Sequence, residues 1–358
     1  MEYKNIINEQ LEAMDLEALE ELMGIEGKQG LFDLNFKDII SRVTEGQPLF
    51  DIREIFDTFI GYIIKEITGS IGLGIKIIAI CILMGLLLNL SSSFGKSAVS
   101  TIGAMVCSCA VIALCLINFI EVYKLCGNTI DRMALVMQIL LPILFPLLIA
   151  IGGVASGGIL HPIILSAVTL FSTLIQKVIL PLLFFSCIFI LGNSIADRDY
   201  IKKTAVLLRN VAIFIMGFGL TVFSGLTAIQ GLVTKSADGM LIKTAKYSVD
   251  NFIPIVGGFA ADSMDLVLNC TTIIKNGIGI FGLLIIIALI AVPLIKLLAI
   301  ALIYKITAAL VEPIGNKVIS DCLNELGNTV ITLGVILFLG ALLFIIFIAI
   351  LISVGAAI

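Results

Sequence analysis

Charged side chains inside the long apolar stretches are the residues of this chain most able to do chemistry. Lys177, Lys296 and Lys305 each interrupt such a stretch. A lysine at the bilayer centre costs roughly 2.5–3.5 kcal/mol on insertion scales, so intramembrane lysines usually face protein or water and often mark a pathway. The alternative is a lysine that snorkels to a headgroup near a helix end, which suits Lys305 beside Tyr304. Lys177 and Lys296 lie in mid-stretch, and for them both interpretations stand.

A polar stripe is predicted in the semipolar segment 232–277. Its members recur at intervals of 3, 4, 3 and 4 residues, which places them on one face of a helix. They are Asp262, Asp265, Asn269, Thr272 and Asn276. Such a helix either lies in the membrane interface or turns its polar side toward a water-filled path.

A third pattern combines a glutamine with two prolines. Gln138, Pro142 and Pro146 are spaced four residues apart and so share a helix face. Each proline lacks an amide donor, which leaves the carbonyl four residues earlier without its helical partner. An ordinary kink or an ion-coordinating site would both fit this pattern. The residues predicted to line a pathway are therefore Lys177, Lys296, Asp262, Asp265, Asn269 and Gln138.

Signatures of catalysis and of metal or cofactor binding are absent from the sequence. His161 is the sole histidine, and one histidine cannot supply the clusters that metal hydrolysis uses. No HExxH, GxSxG or CxxC pattern occurs, and the GKS at residues 95–97 lacks the earlier glycine of a phosphate loop. Most of the eight cysteines lie in apolar runs, where cysteine packs as a small hydrophobe. The sequence therefore predicts that the protein is not an enzyme and binds no cofactor.

The elements that carry these residues belong to a membrane protein. Hydrophobic residues make up 59% of the 358 residues and charged residues only 13%, against about a quarter in a typical soluble domain. Residues 1–76 hold 7 basic and 15 acidic side chains, so an acidic region precedes a sparsely charged body. Neither part has the basic face that nucleic-acid binding needs. We expect an acidic amphipathic N-terminal region at 1–70 and a helical transmembrane domain at 71–358.

Apolar run length predicts an all-α polytopic protein with about six to eight spans, some of them broken or re-entrant. Residues 121–132 are predicted to be a polar connection between two spans, and 152–162 a glycine-rich break. The stretch 162–196 is long for one span and short for two, which favours a broken or re-entrant hairpin. The basic connection 196–210 is predicted to be cytoplasmic. An external N-terminus agrees with that assignment if 162–196 crosses the membrane twice.

Weak internal similarity suggests two related halves, at residues 133–231 and 246–358. LPILFPLLIAIGG (141–153) is similar to NFIPIVGG (251–258), and VILPLLFF (178–185) to AVPLIKLL (291–298). Halves of this kind surround a central axis in many transporters.

Distinctive short motifs follow one another along the membrane region. They are GGILHPIIL (157–165), LIQKVILPLL (174–183), LLRN (207–210), QGLVTKSADG (230–239), KTAKYSVDNFIPIVGG (243–258), IYKITAALVEPIG (303–315) and the step from Asp321 to Cys322. In this order they closely resemble the stage III sporulation protein AE family of endospore-forming bacteria. The residues that carry the resemblance, as structural or motif positions, are His161, Pro162, Pro181, Arg209, Asn210, Asp238, Gly239, Lys246, Asn251, Pro254, Gly257, Tyr304, Lys305 and Pro313.

The resemblance implies a role in the complex that links the mother cell to the engulfed forespore. It implies a place in the mother-cell-derived outer forespore membrane, as a channel or export-gate core. The implied partners are membrane lipid, other stage III A proteins, among them a secretion-type ATPase and ring-forming subunits, and further copies of the chain itself. A stand-alone secondary transporter and a non-conducting anchor for ring assembly are the alternatives. Family members typically begin with an export signal, and none is recognisable in residues 1–24.

Overall fold

Long helices make up almost all of the described chain. The computed structural model describes residues 52–93, 98–194, 201–252, 257–314 and 317–353, and these ranges contain no β-strand. The elements are α1 (Ile52–Ser93), α2 (Ala98–Ala150), α3 (Val154–Leu174), a π-helix (Ile175–Ile179), α4 (Leu180–Asn193), α5 (Lys202–Phe252), α6 (Gly257–Val311), a 3₁₀ turn (Glu312–Ile314) and α7 (Lys317–Ser353). Six stretches of these ranges are long and apolar enough to cross a membrane. The all-α polytopic class is confirmed, with the span count at the lower end of the predicted range.

The helices run alternately up and down, so each packs against its chain neighbour. Ser108 on α2 contacts Met84 on α1, and the ring of Phe145 on α2 lies 4.5 Å from that of His161 on α3. The Ser320 hydroxyl on α7 donates to the Ala308 carbonyl on α6, near the turn between them. Helices α2, α5 and α7 therefore run in one direction, and α1, α6 and the α3–α4 rod run in the other.

Residues 121–132 form the middle of α2, whereas the sequence predicted a connection there. The segment is helical because it is amphipathic: Val122, Cys126, Thr129 and Ile130 are buried on one side. Cys126 also donates through Sγ to the Leu333 carbonyl of α7, at 3.6 Å. Polar side chains occupy the opposite side, so helical periodicity and tertiary burial agree along the whole segment.

Residues 154–193 form one continuous rod, and the re-entrant hairpin predicted for 162–196 does not form within them. Pro181 has no amide proton, so the Lys177 carbonyl cannot receive its usual α-helical bond. The chain accommodates this with the π-helix, in which the Leu180 amide donates to the Ile175 carbonyl. The rod continues in the same direction through α4.

The predicted glycine-rich break is confined to Ile151–Gly153. Gly152 adopts a φ of 89°, a left-handed conformation that only glycine adopts without strain. Pro162, predicted to lie at the end of the break, lies inside α3. Helix α1 runs through the proposed boundary between residues 70 and 71, and residues 1–51 of the predicted N-terminal region lie outside the described residues.

Candidate functional site

Two polar regions lie level with the middle of α2, close to the first turns of α5 and α7 and the last turns of α6. The first, called the polar layer, joins four helices through Asn118 on α2, Lys202 and Arg209 on α5, Tyr304 and Lys305 on α6, and Asp321, Asn324, Glu325 and Asn328 on α7. The second, called the α2 stripe, consists of the exposed residues Glu121, Lys124, Asn128, Asp131 and Gln138.

The polar layer contains two ion pairs between α5 and α7. Arg209 Nη1 lies 2.8 Å from Glu325 Oε2, and the two side chains are only 12% and 18% exposed. Lys202 Nζ lies 3.5 Å from Asp321 Oδ2, in a more open position. The pair Arg209–Glu325 is therefore the main charged link across this interface, because surface ion pairs contribute little.

Hydrogen bonds extend the layer across α6 to α2. The Tyr304 side chain is fully buried, and its hydroxyl donates to Asn118 Oδ1 at 2.9 Å. The neighbouring Lys305 donates to Asn328 Oδ1 at 2.7 Å and to Asn324 Oδ1 at 3.3 Å. Consecutive residues of α6 thus reach two different helices, since adjacent helical side chains point in directions about 100° apart.

Close approach of α6 and α7 makes this arrangement possible. A Cβ at Gly327 would lie 3.1 Å from Lys305 Cγ and 3.3 Å from the Ala301 carbonyl oxygen. A glycine at this position lets the two backbones approach closely, as small residues do at helix contacts in lipid.

The side chains of the α2 stripe are exposed, whereas those of the polar layer are largely enclosed. Glu121, Lys124, Asn128 and Asp131 recur at intervals of 3, 4 and 3, and Gln138 follows one heptad after Asp131. All five are exposed, on the side of α2 opposite its buried residues. A hydrogen bond from Gln176 reaches this stripe at Asp131.

The π-helix brings a second element to the stripe. The Gln176 side-chain amide donates to Asp131 Oδ1, and the next residue, Lys177, is exposed. Short π-helical insertions in α-helices are frequent at functional sites because they re-aim side chains. The α2 stripe thus presents carboxylate, amide and ammonium groups on one exposed face, and Gln176 of the π-helix joins it at Asp131. Such a surface can hydrogen-bond water and polar solutes.

The structure distributes the predicted pathway residues over separate elements. Gln138 belongs to the α2 stripe, and Lys177 is exposed on the π-helix, next to Gln176 in the sequence. Lys296 is half-buried on α6, which packs mainly against α1, α2 and α7, whereas the π-helix packs against α3, α4 and α5. Asn269 is exposed on α6, and Asp262 and Asp265 are in the same helix with side chains outside the described set. A path shared by all six residues remains a prediction.

Several motif residues meet in the polar layer although they are far apart in sequence. Arg209, Tyr304 and Lys305 all belong to it, and His161 contacts Phe145 at the turn between α2 and α3. The other described motif residues are placed as follows: Pro162 inside α3, Pro181 at the start of α4, Asn210 exposed on α5, Gly257 at the start of α6 and Pro313 in the 3₁₀ turn. Asp238, Gly239, Lys246 and Asn251 lie in α5 with undescribed side chains, and Pro254 is outside the described residues.

Sequence reasoning missed Lys275, which is 1% exposed. Its ammonium donates to the carbonyls of Leu351 and Ile352, at 3.2 and 3.1 Å, in the last turn of α7. A cation there complements the negative end of the helix dipole. The neighbouring Asn276 Oδ1 is buried with no hydrogen-bond partner among the described residues. The available signal was the lysine between Thr272 and Asn276 at the edge of an apolar run.

Six stretches of the described chain that are long and apolar enough to cross a membrane, four of them joined by the polar layer, define a polytopic helical membrane protein. The chain belongs to the stage III sporulation protein AE family, whose family model matches residues 34–355. It is 30% identical to the stage III sporulation protein AE of Bacillus subtilis (strain 168) over 329 residues, which cover 91% of this chain and 82% of that relative. No solved structure matches the chain.

Proposed function

We propose that the chain is a membrane-embedded subunit of the apparatus that links mother cell and forespore, and that it forms part of a channel or export gate. Family membership supports the role in sporulation, and the six apolar helices support the membrane location. In this proposal the chain lies in the outer forespore membrane and carries out no catalysis. Its neighbours are other stage III A proteins, among them a secretion-type ATPase and ring-forming subunits.

The α2 stripe is the observation that carries the conducting role. Glu121, Lys124, Asn128 and Asp131 occupy the middle of a 53-residue helix whose two ends are apolar. Charged side chains at membrane depth usually face protein or a water-filled cavity, because lipid cannot solvate them. The stripe is exposed in the single chain, so its neighbour in the membrane is either water or another subunit.

The charges of the surface favour polar solutes without strong selection by sign. Along the α2 stripe, the negatively charged Glu121 and Asp131 lie on either side of the positively charged Lys124, and the exposed Lys177 of the π-helix adds a second positive charge. A single-sign ring would concentrate counter-ions and exclude co-ions, as charged rings in ion channels do. A mixed lining instead suits a path for small polar molecules of either charge.

Cysteine accessibility tests the path directly. Seven of the eight native cysteines are buried and Cys109 is exposed, so Cys109→Ser supplies a low-reactivity background. In that background we expect Lys124→Cys, Asn128→Cys and Lys177→Cys to react with a membrane-impermeant thiol reagent in the assembled complex. Phe214→Cys is the matched control, because Phe214 is 71% exposed on the apolar face of α5 and should be shielded by lipid.

Protection of all three stripe positions in the complex would reject the path. Labelling of Lys296→Cys and Asn269→Cys in the same preparation would extend the path to α6. Their protection, with the stripe labelled, would confine the path to α2 and the π-helix.

Flux measurements separate the proposal from its alternatives. We expect solute flux in liposomes only when the chain is reconstituted with its partner subunits. Uptake by the chain alone would make it a stand-alone transporter. Flux that is absent in every combination would make it a non-conducting anchor.

A further inference from the structure

The π-helix leaves two backbone carbonyls without their usual donors. In an α-helix the Leu180 amide would bond the Gln176 carbonyl, but here it donates to the Ile175 carbonyl. The next donor along the chain would be residue 181, and Pro181 has no amide proton. The Gln176 carbonyl therefore has no helical donor. The Lys177 carbonyl lacks the α-helical donor that residue 181 would otherwise supply.

Both carbonyls belong to a stretch that is long and apolar enough to cross a membrane, His161–Asn193. A carbonyl without a donor at membrane depth needs a partner from protein, water or a ligand, because lipid supplies no donor. No side chain of the described ranges donates to the carbonyl of Gln176 or Lys177. These two oxygens are therefore available to a ligand.

The turn that carries these carbonyls packs directly against α2. Three pairs of residues lie opposite each other, spaced by four along each helix. They are Tyr123 with Phe184, Gly127 with Leu180, and Asp131 with Gln176. The two helices are therefore antiparallel here. The first two pairs are apolar or aromatic, and the third places a carboxylate at the level of the freed carbonyls.

The contact between Asp131 and Gln176 gathers oxygen atoms of the kind that hard cations bind. Gln176 donates through Nε2 to Asp131 Oδ1, which leaves its own side-chain oxygen as an acceptor. The carboxylate likewise has a second oxygen. Carboxylate, amide and carbonyl oxygens are the usual ligands of cations that prefer oxygen. One carboxylate balances one positive charge, so this set suits a monovalent cation.

Two cationic side chains lie next to the site in sequence. Lys177 follows Gln176, Arg132 follows Asp131, and both are exposed. Adjacent side chains of a helix point about a quarter turn apart, so neither shares the direction of the side chains that meet. Asp131 forms no ion pair with any residue of the described ranges. Its negative charge is therefore not neutralised within that part of the chain.

We propose that Asp131, the Gln176 side chain and the freed carbonyls of Gln176 and Lys177 bind one alkali-metal cation. In many transporters, carbonyls freed by broken helices coordinate such cations near the middle of the membrane. The cation reaches the site from the water along the α2 stripe, so the site rests on the proposed function and adds a ligand to it. A bound cation joins α2 to the rod and strengthens their contact at the π-helix.

Equilibrium binding of radiolabelled Na⁺ to the purified full chain in lipid nanodiscs tests the site. N-Methylglucamine chloride keeps the ionic strength constant, and this large organic cation cannot replace a coordinated metal ion. We expect saturable binding that unlabelled Na⁺ or K⁺ displaces and N-methylglucamine does not. Asp131→Asn should lower the affinity by about tenfold or more, because a neutral amide replaces the charged ligand. Glu312→Gln is the matched control, since it removes an exposed carboxylate from the 3₁₀ turn.

A second variant tests the role of the π-helix. Pro181→Ala supplies an amide proton that can bond the Gln176 or Lys177 carbonyl. We expect binding to weaken by about fivefold, because a carbonyl that accepts a backbone hydrogen bond is a poorer ligand. Pro162→Ala makes the same exchange inside α3 of the same rod and should leave the affinity unchanged. Amide hydrogen exchange of both variants checks that the helices are retained.

Four results would overturn the proposal. They are the absence of saturable Na⁺ binding, equal affinity of wild type and Asp131→Asn, equal affinity of wild type and Pro181→Ala, and binding that appears only in Lys177→Met. The last would show that the lysine ammonium occupies the site. Failure of the site is distinguishable from failure of the path. Solute flux through the complex without Na⁺ binding rejects the site alone, whereas Na⁺ binding with a stripe protected from thiol reagents rejects the path alone.

Discussion

The polar layer and the α2 stripe lie at neighbouring levels of one bundle, yet their side chains have opposite surroundings. Arg209, Glu325, Tyr304 and Lys305 are largely enclosed, and each has a partner on another helix. The α2 stripe is exposed, with Gln176 as its neighbour from another element. Enclosed polar groups depend on their partners for stability, whereas exposed ones are free to contact solute or another subunit. Mutations in the two regions should therefore affect different properties.

The largest expected effect is the loss of the buried ion pair. Arg209→Met leaves the Glu325 carboxylate enclosed without its cation, which costs about 3–5 kcal/mol for a buried pair. Reversible unfolding of the purified full chain in lipid nanodiscs measures this loss. The double variant Arg209→Met with Glu325→Leu should recover most of it, because no charge is then left unpaired. An equal loss in single and double variants would contradict the assignment.

The next largest effect is a local loss of stability at the end of α7 when Lys275 is replaced. Lys275→Met removes the ammonium that binds the Leu351 and Ile352 carbonyls, and a hydrogen bond to a charged group is worth roughly 1.5–3 kcal/mol. We expect faster amide hydrogen exchange in the last turns of α7. Lys296→Met, at a half-buried lysine on the same helix, is the control and should leave that exchange unchanged. Equal exchange in both variants would show that Lys275 does not hold the helix end.

A smaller loss of stability is expected when the close packing of α6 and α7 at Gly327 is disturbed. Gly327→Ala places a methyl 3.1 Å from Lys305 Cγ, and overpacking of this kind costs about 1–3 kcal/mol. Gly334→Ala on the same helix is matched, because its Cβ would have ordinary contacts of 3.6 and 3.8 Å with Leu294 and Leu297. Unfolding in nanodiscs should separate the two variants. A larger effect at Gly334 would refute the close approach at Gly327.

The smallest effect on stability should come from the α2 stripe. Glu121→Gln, Lys124→Gln and Asp131→Asn together remove three charges while retaining hydrogen-bonding groups. Exposed positions usually change the free energy of unfolding by less than about 0.5 kcal/mol. Solute flux through the assembled complex should nevertheless fall. A stripe variant that unfolds as readily as Arg209→Met would abolish the distinction between the two regions.

Errors in the predicted elements had a common origin. The segment 121–132 was assigned to a connection because it is polar, although Glu121, Lys124, Asn128 and Asp131 follow helical spacing. The stretch 162–196 was expected to form a broken or re-entrant hairpin, but within the continuous rod 154–193 a π-helix accommodates Pro181. A criterion based on the length of apolar runs measures hydrophobicity alone. It takes no account of the other helices that pack against a segment in the folded bundle.

The two corrections together also simplify the topology. If each long helix crosses once, three crossings separate the start of α1 from the segment 195–200. Residues 202–210 of the predicted connection belong to α5, so the segment between the helices is shorter than expected. An external start of α1 and a cytoplasmic start of α5 then agree with each other, without a second crossing in 162–196. Reporter fusions near residues 93, 200 and 250 would check this arrangement.

The sequence by itself determined that lipid surrounds most of the protein and that its secondary structure is helical. A chain this apolar must be covered largely by lipid, and only helices satisfy their backbone groups within one segment. The motifs also identified Arg209, Tyr304 and Lys305 as residues of interest. Only the tertiary structure decided that these residues meet, that Lys275 holds the end of α7, and that the α2 stripe is exposed. Such contacts join helices distant along the chain, and their geometry depends on how the whole bundle packs.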